Sequence, residues 1–415
     1  MRWLLAPYVA EIQRGHGQSL WPVIGFGVSM IVDYGVIYYS FTLLAPRIAQ
    51  DLSWSLSFTY SGLAAAFFCS GLAAPYAGKL LDRHGGRIVM SWGTLIAAAA
   101  MALLAAVEGP VSYVATVIAI EVAGTTVLYN AAFTTLTQIY GHGARRAITF
   151  TTLTAAFSST LFWPLTSALL THLDWRTVTL ILAGLMILIS LPIHLLLPRP
   201  RSDSRPVERG TSGGPHGVAP ILLTDDRQRR RAFVLLSLSF SLSGFVIASL
   251  PLHLISVLTS LGFTGAVAVT LGSLIGPSQF LVRLIEMIVG QRLSAITVGL
   301  VAAALIPLGL LILMLGGTSL AAGVLFAVVY GMGQGLESIA KGIVPLALFG
   351  PTGYGTMLGR IAMAGLVVSA GAPWVFSLVR ESHGPIAALA LAAAAGLIAT
   401  LAYLGIPKPS ETPPP

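Results

Sequence analysis

The chain has 415 residues, of which 55% are hydrophobic and only 9% charged, with a formal net charge of +8. A soluble domain carries roughly 25% charged residues. The composition therefore excludes a water-coated enzyme and a disordered chain, and a single cysteine, Cys69, excludes a disulfide scaffold. Mean hydropathy is +0.85, and apolar segments of the ~20 residues needed to cross a bilayer recur along nearly the whole length. They are too long, and too continuously apolar, for the strands of a membrane β-barrel.

In chain order, MRWLLAPYVAEIQRGHGQ has a short apolar stretch broken by Pro7 and Glu11. The segment 1–19 reads as a cytoplasmic lead-in, not a cleavable signal. Predicted spans follow at 20–45, 55–79, 88–107, 111–138, 146–170 and 177–197, a six-helix bundle over 20–197. The interval 198–231, rich in Pro, Gly, Ser and charge, reads as a cytoplasmic linker. Six more spans are predicted at 232–259, 264–290, 294–316, 319–347, 354–379 and 385–406. They make a second bundle over 232–406, with a cytoplasmic tail over 407–415. The expected fold class is an all-α polytopic membrane protein of 12 transmembrane helices.

The 23 Lys and Arg residues set its orientation. With the N-terminus inside, only Arg47, Arg176 and Arg380 fall outside, and Arg283, Lys341 and Arg360 fall within spans. All the others lie on the inner side, which satisfies the positive-inside rule and puts both termini in the cytoplasm. The basic balance is thus topological and does not call for nucleic acid. The RQRRR run of the linker can also meet anionic lipid headgroups.

A shift of 209 residues places Arg83 on Arg292, Gly124 on Gly333 and Gly141 on Gly350. These weak matches suggest a duplicated six-helix unit, an arrangement typical of secondary transporters. The loop after the second span reads GKLLDRHGGR over 78–87. There Gly78 permits close helix approach, Asp82 ends the span, and Arg83 and Arg87 anchor the loop. This run resembles the Gly-x-Leu-x-Asp-Arg-x-Gly-x-Arg signature of the major facilitator superfamily, at the place that family requires. The resemblance implies two six-helix bundles moving by alternating access. It also implies a latch in which Asp82 sits at the N-terminus of a facing helix, as a carboxylate prefers. The counterpart MIVGQR at 287–292 keeps Arg292 but has Met287 and Gln291 in place of Gly and Asp. Asp174-Trp175-Arg176 resembles another recurrent feature of the superfamily.

Within it, YGVIYYSFTLLAP (34–46), DLSWSLS (51–57) and YNAAFTTLTQIYGHGARRA (129–147) resemble the monocarboxylate and oxalate:formate branch, as does DWRTVTLILAG (174–184). In that branch an Asp and an Arg four residues later on span eight commonly serve proton coupling and carboxylate binding. Here Gln279 and Arg283 match them, so the Arg is kept and the Asp is absent. A Lys of the animal members falls at Tyr39.

An ionisable residue in a span costs about 2.5–3.5 kcal/mol at mid-helix, so each needs a partner, a cavity or a role. Arg283 offers a planar five-donor fork that matches a carboxylate. It is expected to bind an anionic substrate, with Glu286, three residues on, holding it between visits; a static pair is the alternative. Tyr39, Asn130 and Gln279 are the expected neutral substrate contacts. Asp33, Glu286 and Glu121 are the candidate proton-coupling groups, although Asp33 also fits a water-facing carboxylate and Glu121 an interhelical hydrogen bond. Glu337, Lys341 and Arg360 are expected to join Gly78, Asp82, Arg83 and Arg87 in gating, or to form a static network. His194 and His253 read as packing residues or as groups that titrate near neutrality.

No phosphate-cradling loop, clustered metal spacing or nucleophile–base motif occurs, so no catalytic residue, cofactor or metal is expected. The expected function is secondary active transport of a small organic anion, a monocarboxylate, across a bacterial inner membrane, with a proton as the candidate coupling ion. Proton-coupled efflux of amphipathic compounds through Asp33 and Glu121 is the alternative, and a membrane sensor on the same fold a further one. The expected partners are a small anionic molecule and the lipid bilayer, with the protein a monomer.

Overall fold

The computed structural model describes residues 20–198, 223 and 225–407. The lead-in at 1–19, most of the linker and the tail beyond Pro407 lie outside the described residues. Twelve helices are long and apolar enough to cross a membrane, and no strand occurs among the described residues. They are α1 (Trp21–Asp51), α2 (Leu56–His84), α3 (Gly86–Leu104), α4 (Pro110–Tyr140), α5 (Ala144–His172) and α6 (Trp175–Leu195). Then come α7 (Asp226–Ser260), α8 (Gly265–Val289), α9 (Ala295–Gly316), α10 (Leu320–Phe349), α11 (Tyr354–His383) and α12 (Pro385–Leu404). Helices are the open-chain solution in lipid because each satisfies its own backbone polar groups.

The chain divides into two compact units: Met1–Gly210 with Gly353–Met363, and Thr211–Thr352 with Ala364–Pro415. The first turns of α11 therefore pack with the first unit. Each unit has its own apolar core. In the first it includes Leu44, Leu104, Tyr113 and Val178; in the second, Leu250, Leu310, Phe326 and Phe376. Lipid tails are as apolar as these side chains, so close packing and interhelical hydrogen bonds hold the helices together.

Several helices of the first unit are interrupted, although α2 and α3 run unbroken. A π-turn at Gly35–Tyr39 breaks α1, and a second at Met186–Ser190 breaks α6. In the first, the Ser40 amide and hydroxyl both bond the Gly35 carbonyl, at 2.9 and 2.8 Å. Between Gly124 and Tyr129, α4 opens, and the Thr125 and Thr126 hydroxyls donate to the Val122 and Ala123 carbonyls. At each of these carbonyls the hydroxyl adds a second donor beside the backbone amide of the same residue. By contrast α7, α8, α9 and α10 run unbroken through Pro251, Pro277, Pro307 and Pro345. The Arg-rich run before span seven is helical: α7 starts at Asp226, with the Asp225 carboxylate accepting from the Arg227 and Gln228 amides.

Candidate functional site

The signature loop is the most fully bonded of the sequence-derived features. Asp82, in the last turn of α2, accepts from the Gly355 amide (2.9 Å), the Thr356 amide (2.7 Å) and the Thr356 hydroxyl (2.6 Å) at the start of α11. A carboxylate on the free amides of a helix N-terminus is favoured by both hydrogen bonding and the helix dipole. The approach is so close that a Cβ at Gly78 would overlap the Gly355 carbonyl, and one at Gly355 would meet the Asp82 carboxylate. Gln138 on α4 braces the corner by donating to the Leu81 carbonyl at 2.8 Å and accepting from the Gly86 amide at 3.2 Å. Arg83 is exposed in the last turn of α2, and Arg87 is half-buried in the first turn of α3. Asn130 lines a small cavity against this contact with Gly78, Thr134, Gly355 and Gly359.

Opposite in the chain, Asp174-Trp175-Arg176 acts as a clamp. Asp174 caps α6 by accepting from the Thr177 amide at 2.7 Å. The Thr177 hydroxyl and amide hold its carboxyl below the ordinary range, with a smaller contribution from Arg176. Trp175 Nε1 and Arg176 both donate to Asp51 at the end of α1, at 3.0 and 3.3 Å. Arg176 also donates to the Ala105 and Val107 carbonyls after α3, at 2.8 Å each.

Tyr39 sits edge-on to Tyr38 and Trp163, with ring centroids 5.2 and 5.7 Å apart. Tyr34 packs on Tyr129 at 4.5 Å, so the paired tyrosines of α1 face different neighbours. Glu121 is buried on α4 before its break. Asp33 is fully buried and does not face water. Its carboxylate lies 3.8 Å from Nε2 of His194 on α6, itself fully buried. Sequence reasoning named both residues but did not join them, because their meeting depends on how α1 packs against the irregular end of α6.

In the second unit, α8 and α10 share a polar seam. Buried Arg283 donates from Nε to the Gly335 carbonyl and from a terminal nitrogen to Gln279 Oε1, both at 3.4 Å. Gln279 donates to Gln334 Oε1 at 2.8 Å, and Gln334 donates to the Tyr330 hydroxyl at 3.0 Å. Bare backbone on α10 allows this approach, since a Cβ at Gly335 would crowd the Gln279 backbone and Val282. Gln334 and Tyr330 were not singled out in the sequence; the four-residue spacing Tyr330–Gln334, one turn from Glu337, was the available signal. Glu286 is buried one turn beyond Arg283.

Glu337 is buried, and its nearest cation is Lys341 Nζ at 4.0 Å, whose side chain is 40% exposed. Tyr403 on α12 is buried close enough to interact electrostatically with Glu337, and its hydroxyl has no hydrogen-bond partner. Arg360 is exposed and belongs to the α11 segment grouped with the first unit. No group of three or more His, Cys, Asp or Glu residues that could hold a metal occurs among the described residues.

No curated protein sequence matches the chain. Solved structures do share its fold. The human organic anion transporter MFSD10 (TETRAN) has TM-score 0.69 and 15% identity, over 92% of this chain and 99% of that one. The transporter FucP in its outward conformation gives TM-score 0.69 and 15% identity, over 93% and 99%. The proton:xylose symporter XylE, bound to 6-bromo-6-deoxy-D-glucose, gives TM-score 0.68 and 12% identity, over 94% and 96%. At such identities the likeness is one of fold. The family model of the Major Facilitator Superfamily matches residues 26–373. With twelve apolar helices, an Asp82 contact at the start of α11 and that match over most of its length, the chain belongs to the Major Facilitator Superfamily of integral membrane transporters.

Proposed function

We propose that this chain is a secondary active transporter of a small organic anion, a monocarboxylate, working by alternating access, with Arg283 as the charge that binds the cargo. The observation that carries this reading is a buried guanidinium, within a membrane span, held by the neutral Gln279–Gln334–Tyr330 chain and the Gly335 carbonyl. The Gln279 amide and the Gly335 carbonyl fix the direction of the fork, and a guanidinium so oriented matches a carboxylate with paired hydrogen bonds. The sequence likeness to the monocarboxylate and oxalate:formate branch supports the same class. Gln279 and Tyr39 are the proposed neutral contacts, and Glu286 the carboxylate that competes for Arg283 when cargo is absent.

The Asp82 contact with α11 is the proposed latch, with Gly78 setting its closeness and Arg83 and Arg87 anchoring its loop. Glu337 and Lys341 are the proposed second gating pair, with Arg360 a further gating charge. Asn130, which lines a small cavity with Gly78 and Gly355, is a further proposed neutral cargo contact. The Lys and Arg distribution supports an orientation with both termini cytoplasmic, and the proposed setting is a bacterial inner membrane, with two bundles over 20–197 and 232–406 and a linker between them.

The test uses purified protein in proteoliposomes. Solid-supported-membrane currents and radiotracer flux are recorded for lactate, formate and oxalate, with and without a pH gradient. A saturable signal lost in Arg283→Gln is expected. Equal flux in Arg283→Gln and wild type would overturn the assignment.

A further inference from the structure

Asp33 and His194 make a cluster that the proposed cargo site does not use. Both side chains are fully buried, and neither Asp33 oxygen nor His194 Nε2 has a hydrogen-bond partner. The Thr94 hydroxyl on α3 donates to the Met90 carbonyl at 2.8 Å and lies 2.7 Å from His194 Nδ1. A hydroxyl has one proton to give, so with that proton on Met90 it accepts from an Nδ1–H. The imidazole then turns its Nε2 lone pair toward Asp33, 3.8 Å away. Two bare lone pairs facing each other in a dry interior repel, whereas one proton placed between them makes the pair neutral.

Two further features single the pair out. The π-turn of α1 begins two residues after Asp33, and the π-turn of α6 ends at Ser190, whose hydroxyl lies beside Asp33. Single π-turns inside α-helices occur frequently at functional sites. The second unit supplies the contrast. The 209-residue shift places His194 on Tyr403, and Tyr403 also faces a buried carboxylate, Glu337. That carboxylate has Lys341 at 4.0 Å, whereas Asp33 has the imidazole at 3.8 Å and the Ser190 hydroxyl beside it.

On the helices packed around the pair, most other charged groups lie near helix ends. Arg87 opens α3, about 10 Å along the helix from Thr94 at ~1.5 Å per residue. Arg145 and Arg146 open α5 and His172 closes it; Arg176 opens α6. Glu121 lies on the other side of the α4 break, while Tyr129 and Tyr140 lie beyond it, and Tyr129 packs on Tyr34. On α1 itself, Tyr38 and Tyr39 follow Tyr34, with Arg47 and Asp51 in the last turns.

We propose that Asp33 and His194 form a proton-binding site inside the first unit, with Thr94 fixing the imidazole tautomer, and that it seats the coupling proton. The loaded pair is neutral and sealed. The unloaded pair leaves one negative charge buried among apolar helices, so unloading requires α1 and α6 to part and admit water. This deepens the proposed function and rests on it for what the proton drives, but the existence of the site does not.

The test of the site needs no cargo. Infrared pH-difference spectra of the full-length protein in nanodiscs report protonated carboxyls by a carbonyl band that shifts in D2O. The wild type is expected to show a slowly exchanging band that Asp33→Asn removes and that Glu121→Gln and Glu337→Gln leave in place. His194→Gln and Thr94→Val are expected to move its titration by about one pH unit or more. They also carry the test if Asp33→Asn fails to fold. A spectrum unchanged by Asp33→Asn, or a titration unmoved by both other variants, overturns the site. For coupling, accumulation of radiolabelled lactate driven by a proton gradient is expected to fall much further in Asp33→Asn than lactate exchange does; equal losses overturn that role. Absence of lactate, formate and oxalate flux in the wild type would overturn the anion reading and leave the infrared result standing.

Discussion

The two units solve the problem of buried charge in opposite ways. The first sets its acid, Asp33, against a ring that can give or take a proton, between two π-turns. The second sets Glu337 near a lysine and joins its buried guanidinium to a chain of amides through Gln279, on helices that run unbroken. At matched positions of α6 and α12, an imidazole stands in one unit and a phenol in the other. An imidazole changes charge near neutrality, whereas an ordinary phenol keeps its proton to about pH 10. The contrast teaches that equivalent helices can carry a protonation site in one unit and a fixed dipole in the other.

The largest expected effect breaks the second unit's side of this contrast. Arg283→Gln should weaken lactate binding by about 2–5 kcal/mol, the cost of truncating one partner of a buried charged contact. Arg283→Lys should recover only part of it, because an ammonium lacks the planar fork. Equilibrium binding by tracer or calorimetry measures both.

Next, Asp82→Asn should unpin the start of α11. It keeps the shape but removes the charge from three short hydrogen bonds, each worth about 1.5–3 kcal/mol when charged. Faster hydrogen exchange at the Gly355 and Thr356 amides should result, with α8 and α10 unaffected; mass spectrometry of the α11 peptide reads it. Gly78→Val should add a clash costing about 1–3 kcal/mol and lower the unfolding temperature as well.

A smaller effect compares the matched rings directly. His194→Phe removes the buried hydrogen bond between the ring and Thr94, leaving Thr94 only the Met90 carbonyl, and should destabilise by about 1–3 kcal/mol. Tyr403→Phe removes a hydroxyl that has no partner, so its change should stay within about 0.5 kcal/mol. Equal losses in thermal unfolding would erase the distinction between the units.

The smallest expected effect lies at the Asp174 clamp. Its carboxyl sits below the ordinary value of 3.8, so the stability it supplies is complete above that pH and fades only as the pH falls below it. Asp174→Ala should slightly lower the unfolding temperature near neutral pH, and the difference from wild type should vanish in strong acid.

Much of the latch was legible in the sequence because Gly78, Asp82, Arg83 and Arg87 lie within one ten-residue run, where spacing alone carries the geometry. Asp174-Trp175-Arg176 was legible as a motif for the same reason, but its partner Asp51, 124 residues from Trp175, was not. Asp33 and His194 were legible only as separate ionisable residues, since 161 positions of chain divide them and nothing local to either names the other. Gln334 and Tyr330 escaped notice because neutral polar residues are common in spans and gain meaning only from the α8 side chains opposite them.

The amino-acid sequence by itself determined twelve spans, their membrane environment and the short motif that closes α2 onto α11, because hydropathy and nearest-neighbour spacing act over one or two helical turns. Tertiary structure alone decided which charges meet. Helix breaks at Gly35, Thr125 and Met186, together with glycine-thin approaches such as Gly335, rotate and shift whole faces. Those rotations, summed over helices far apart in the chain, bring Asp33 to His194 and Gln279 to Gln334.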